Sequence, residues 1–303
     1  MKYKITHNTK YAYSEAVPVC QNVVHLAPRP LPSQLCNEFK LLIHPEPFSI
    51  SHRNDYFGNQ VSFFSIDQPH MGLTVTATSH VSVLATPAYP PENSPAWEEV
   101  ALKLKQDQTP ELLDAYQFVF SSPGVKLFPK LMEYAEASFT KARPILEAVL
   151  DLTARIHKDF RYDPRATTVN TEIDEVFEQR HGVCQDFAHF QIGCLRILGL
   201  AARYVSGYLR TLPPPGKPRL VGADASHAWL SVYCGEKAGW VDVDPTNNVA
   251  ASTDHITVAW GRDYYDVCPI QGTIVGGGDH RMNVSVDVAP EETEPPQGRT
   301  ASS

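Results

Sequence analysis

The stretch GVCQDFAHFQIGCLRILGL, residues 182–200, decides how the rest of the chain is read. Placed on a helix, Phe187, Phe190, Cys194 and Ile197 recur at intervals of three and four and form one apolar stripe. Cys184 then stands in the first turn, where backbone N–H groups lack partners within the helix and the macrodipole is positive. A thiolate is stabilised there, the condition that separates a nucleophilic cysteine from an inert one. Gly182, without a Cβ, lets another backbone or a substrate approach closely. Cys194 belongs to the stripe and is expected only to pack, and Cys184 alone could equally be a small buried hydrophobe. The choice turns on partners elsewhere in the chain.

A nucleophilic thiol needs a base, and the base needs an orienting group. DASHAWLSVYC, residues 224–234, read as a strand puts His227, Trp229, Ser231 and Tyr233 on one face and Ala228, Leu230, Val232 and Cys234 on the other. The second face is core, so His227 projects from the opposite one. GWVDVDPTNN, residues 239–248, puts Trp240, Asp242 and Asp244 on one face. Strand parity does not choose between the two aspartates. Asp244 precedes Pro245 and ends the strand, which favours it mildly, while either carboxylate could instead cap the turn that follows.

The three segments GVCQDFA, DASHAWLSVY and GWVDVDPTNN, in this order, resemble the catalytic segments of the transglutaminase-like superfamily, which shares the papain-type core. FRYDP, ARYVSGYL and AWGRDYYDVCPIQG fall in the order shown by bacterial two-domain members with an all-β N-terminal region. The likeness is strong over residues 143–288 and fainter over 1–86. It implies Cys184 as nucleophile, His227 as general base and acid, and Asp244 as the orienter of His227. The implied reaction is acyl transfer from a peptide or protein amide through a thioester, resolved by water in a peptidase or by an amine in a transglutaminase. The backbone N–H of Cys184 is the natural first oxyanion donor. Animal transglutaminases supply a second from an upstream tryptophan. Here no tryptophan lies between Trp97 and Cys184, so Tyr162 of FRYDP is the substitute, and hydrolysis is the expected outcome.

Around these motifs the chain divides by texture. EFKLLIH and GLTVTATSHVSVLAT read as strands, with Gly58-Asn59 between two apolar runs as a hairpin turn. ATPAYPPENSP reads as a boundary. RPILEAVLDLTARIHKDF, residues 143–160, carries Ile145, Val149, Leu152 and Ile156 on one helical face. Strand texture returns after Leu200. The expected fold is α+β: an N-terminal antiparallel β-domain (1–86), a linker and helical connection (87–142), a papain-like transglutaminase core with helices packed on an antiparallel sheet (143–288), and a disordered tail (289–303). TLPPPGKPRL, residues 211–220, is read as a proline-stiffened flap beside the cleft. Asp186 and Asp224 are read as structural.

Composition closes off other classes. With 303 residues, 43% hydrophobic, 20% charged and a net charge of −8, this is a globular composition without an electrostatic footprint for nucleic acid. No apolar run is long enough to span a bilayer, and the N-terminal sequence MKYKITHNTKYAYS lacks an apolar signal core, so a cytoplasmic protein is expected. The six dispersed cysteines are expected as free thiols, without metal or cofactor. His181, Cys184 and His189 are close in sequence, yet Cys184 and His189 stand about 140° apart on a helix, poor geometry for a shared ion. No G-x-S-x-G elbow or calcium-loop motif occurs. A non-catalytic scaffold whose β-domain binds a partner is the rival of another class. The oligomeric state is not legible.

Overall fold

The computed structural model describes residues 1–211 and 225–291. The proposed flap (apart from Thr211), Asp224 and the tail from residue 292 lie outside the described residues. Six strands come first: β1 (Lys2–Val17), β2 (Val19–Val24), β3 (Gln34–His44), β4 (Ser49–Asn54), β5 (Gln60–Ile66) and β6 (His70–Val83). Four helices follow, α1 (Trp97–Gln106), α2 (Pro110–Tyr116), α3 (Pro129–Glu136) and α4 (Ile145–Asp159). Next come β7 (Arg161–Tyr162), α5 (Ile173–Gln179), β8 (His181–Gly182) and α6 (Cys184–Ile197). The chain ends with β9 (Ala202–Leu209), β10 (Ala225–Tyr233), β11 (Trp240–Asp244), β12 (Val249–Ala250), β13 (His255–Gly261), α7 (Tyr264–Val267), β14 (Ile270–Val275) and β15 (His280–Pro290). The fold is the expected α+β arrangement of an antiparallel β-domain and a half with helices packed on an antiparallel sheet.

Two four-stranded sheets, β15-β1-β6-β3 and β14-β2-β5-β4, make the β-domain. Hydrophobic alternation along β1 and β6 directs their odd-numbered residues to one face. The far half of that face, with Tyr13, Val17, Leu73 and Val75, packs on Phe64 and Ile66 of the second sheet. The near half, with Tyr3, Ile5, Val81 and Val83, belongs to the core shared with the helices. One long sheet therefore covers two cores.

In the other half, the antiparallel sheet β12-β11-β10-β9-β13 packs against α6, which is buried from Gln185 to Arg196 and surrounded by α3, α4 and α5. Ile145, Val149, Leu152 and Ile156 of α4 are all buried, as their spacing predicts.

Two boundaries differ from the sequence reading. Residues 87–142, read as a linker and helical connection, carry helices α1 to α3, and Val100, Leu104, Leu112, Phe118 and Leu131 make them part of the main core. Strands β14 and β15, placed with the catalytic core by order along the chain, pair with β2 and β1. Strand texture reveals a strand but not its partner. The chain leaves the β-domain, builds the core and returns to close both N-terminal sheets.

Candidate active site

The approach to Cys184 is built from backbone. Arg180 takes a left-handed conformation (φ 55°) that ends α5, and its guanidinium lies 4.0 Å from the Phe177 ring centroid. The chain then forms the parallel pair β7–β8, with Tyr162 opposite Gly182. Gly182 is needed for a reason other than the expected one: a Cβ there would meet the Asp186 carboxylate at 2.6 Å. Asp186 sits in the first turn of α6 and accepts from the Val183 N–H (2.8 Å) and the Thr167 hydroxyl (2.6 Å). It fixes the start of the helix, and so the position of Cys184, which is its first, partly exposed residue. Burial pushes the Asp186 carboxyl above its ordinary value despite these two donors.

His227 stands near the start of β10. Leu230 pairs with Val243 across to β11, so Asp244 lies diagonal to His227 and Asp242 one step further away. The register makes the choice that parity does not. Asp242 accepts from Trp229 Nε1 at 2.9 Å. Asp244, fully buried, meets His227 Nε2 through Oδ2 at 2.7 Å. The turn-capping reading is also realised: Asp244 Oδ1 accepts from the N–H groups of Thr246 (2.9 Å) and Asn247 (3.2 Å). One carboxylate caps the turn with one oxygen and holds the imidazole with the other.

Cys184 is also close enough to the His227 imidazole to raise its pKa. Burial alone would lower the His227 pKa, but the hydrogen bond to Asp244 and the nearness of Cys184 outweigh it and raise it to about 10. Burial alone would raise the Asp244 carboxyl, but donors from His227 and His255 hold it well below the ordinary carboxylate range. The structure thus brings Cys184, His227 and Asp244 together, with the imidazole bonded to the carboxylate and near the thiol.

Tyr162, 52% exposed, is held by strand pairing two residues ahead of the thiol. Burial and the charge of Cys184 raise its phenol above the ordinary value, keeping it a hydroxyl donor at neutral pH. His189, considered with His181 for a metal, is buried and accepts the Tyr264 N–H at 3.1 Å. Burial lowers its pKa to about 4, so it packs as a neutral ring.

Two site residues escaped the sequence reading. His255 Nε2 lies 3.2 Å from Asp244 Oδ2, and Asn247 Nδ2 donates to the same oxygen at 2.7 Å. DPTNN was legible as a turn but gave no sign of which asparagine turns inward. HITVAW was legible as a strand, but its place beside β9 rather than β11 was not.

Comparison with known proteins places these features in context. Residues 3–82 match a model described as the bacterial transglutaminase-like N-terminal region, and residues 133–245 match the transglutaminase-like superfamily. Uncharacterized proteins of Mycobacterium tuberculosis and Mycobacterium bovis are 41% identical over 298 residues, covering 96% of this chain and 93% of theirs. A protein-glutamine gamma-glutamyltransferase of Pseudomonas aeruginosa is 38% identical over 97 residues, 31% of this chain and 14% of that one. The crystal structure of a candidate cysteine protease from Cytophaga hutchinsonii superposes with a TM-score of 0.73 at 21% identity, covering 97% of this chain and 93% of that one.

Proposed function

The chain belongs to the transglutaminase-like superfamily, and from that premise we propose that it cleaves amide bonds of peptides or proteins through a Cys184 thioester. The observation that carries this reading is His227, held at Nε2 by the buried Asp244 and close enough to Cys184 for the thiol to raise its pKa. In the proposed cycle the Cys184 thiolate attacks the amide carbonyl. The His227 imidazolium then protonates the departing amine and, now neutral, takes a proton from water as that water attacks the thioester. Asp244 keeps the ring oriented and balances its charge without taking the proton. The oxyanion forms beside the α6 N-terminus, where the Cys184 N–H donates, and Tyr162 is the second donor.

Transfer to an amine is the second reading, favoured by the likeness to the Pseudomonas aeruginosa gamma-glutamyltransferase. A glutamine-containing peptide incubated with a labelled primary amine separates the two by product mass. Hydrolysis predicts a gain of the acid alone, transfer predicts the amine adduct, and neither product with wild type across a peptide library would remove both. Cytoplasmic residence is proposed on the six free thiols, and cell fractionation tests it.

A further inference from the structure

Among the described residues β13 is an edge of the catalytic sheet, with β9 on one side only. A bulge between Thr257 and Ala259 lets both Thr257 and Trp260 turn their backbone groups outward. Two side-chain amides from the β-domain meet them. Gln34 donates to Thr257 O (2.7 Å) and accepts from Thr257 N (2.9 Å). Asn59, fully buried in the β4–β5 hairpin turn, donates to Trp260 O (2.8 Å) and accepts from Trp260 N (3.0 Å). Each amide supplies the donor and acceptor that a neighbouring strand would have offered. Arg29 reinforces both, giving its N–H to Thr257 O (3.1 Å) and its guanidinium to Asn59 Oδ1 (2.8 Å), with the same guanidinium 3.7 Å from the Trp260 ring centroid.

The first residue of the strand held this way is His255. Its Nδ1 accepts the Ser252 N–H at 3.3 Å, so its proton sits on Nε2 and points at Asp244 Oδ2. His227, Asp244 and His255 are near enough to hold an ion, but a ligating Nε2 needs a free lone pair, and here Nδ1 already receives a proton donor.

We infer that the β-domain is a working part of the active site: Gln34 and Asn59 grip β13, and β13 presents His255 as a positioning residue that fixes Asp244, and through it His227. This rests on the proposed function. It gives the N-terminal region a role inside the catalytic machinery in place of partner binding.

The test uses the full chain and two readouts. One is the rate at which iodoacetamide alkylates Cys184 at pH 6.5, read by peptide mass. The other is the downfield proton resonance of the His227 Nε2–H, assigned by its loss in His227→Ala. His255→Leu should slow alkylation about tenfold and broaden the resonance, while His255→Gln, which keeps a donor at the Nε2 position, restores both. Gln34→Leu should slow alkylation by a smaller factor in the wild-type background and add nothing to His255→Leu, a dependence that general loosening would not show. Should His255→Leu fail to fold, Gln34→Leu alone must broaden the resonance.

An unchanged rate and resonance in His255→Leu would overturn the inference, and so would equal Gln34→Leu effects in both backgrounds. If wild-type Cys184 reacts no faster than in His227→Ala, the catalytic reading fails instead. The resonance still reports whether His255 orders Asp244.

Discussion

At the scale of the residue, His227 is where burial and charge compete, and charge wins. Its raised pKa has a consequence for stability. Below the ordinary imidazole value of 6.5 both folded and unfolded forms carry the proton, and the folded form keeps it up to about 10. The stabilisation is therefore complete below 6.5 and is lost as pH rises through 10. Melting temperatures from pH 7 to 10.5 should fall more steeply for wild type than for His227→Gln. Asp244→Asn removes the charge opposite the ring with little change of shape, and should lower kcat about a thousandfold or more with a small effect on KM. Tyr162→Phe, if the phenol donates to the oxyanion, should lower kcat about tenfold or more. Cys184 was a candidate only together with the histidine and aspartate segments that follow it, since a helix-start thiol by itself reads equally as packing. His255 was not, because a histidine at the head of a strand acquires meaning only from the carboxylate that tertiary structure brings to it.

At the scale of the element, the site depends on strand register. Gly207 on β9 lies between His227 on β10 and Thr257 on β13. A Cβ there would meet the Ile256 carbonyl oxygen at 2.2 Å and the Trp229 ring at 2.5 Å. Gly207→Ala should destabilise the fold by about 1–3 kcal/mol in urea unfolding. It should also slow Cys184 alkylation, because Trp229 packs edge-on against His255 with ring centroids 5.1 Å apart. The sequence predicted the strands carrying His227 and Asp244 and the faces their side chains take. It did not separate Asp242 from Asp244, since alternation has period two and both fall on one side. Pairing of Leu230 with Val243 supplies the missing offset.

At the scale of the whole molecule, the β-domain and the catalytic half share a core through Tyr3, Ile5, Val81, Val83, Val286 and Val288. Removing residues 1–86 strips β1 and β2 from β15 and β14 and uncovers that apolar surface. The remaining chain should be insoluble or lack a cooperative melting transition. Two buried imidazoles add acid sensitivity. His7, bonded to Tyr208 at the junction, and His189 inside the core are both held by burial at a pKa of about 4. In acid the unfolded chain takes up protons that these rings refuse, so stability should fall as pH drops from 6.5 towards 4, and calorimetry should detect proton uptake on unfolding at pH 5. Fold class and order of halves were legible from texture and motif. The return of β14 and β15 was not, because alternation fixes which face is buried and says nothing about which sheet receives it.

The most direct measurement is a competition among the six thiols. Folded protein is treated with limiting iodoacetamide at pH 6, and the modified cysteines are identified by peptide mass. A Cys184 sulfur at the start of α6 beside the His227 ring predicts that Cys184 is labelled well ahead of the partly exposed Cys36 and Cys268, and that His227→Ala erases the preference. Labelling that follows exposure alone, unchanged by His227→Ala, would contradict the account.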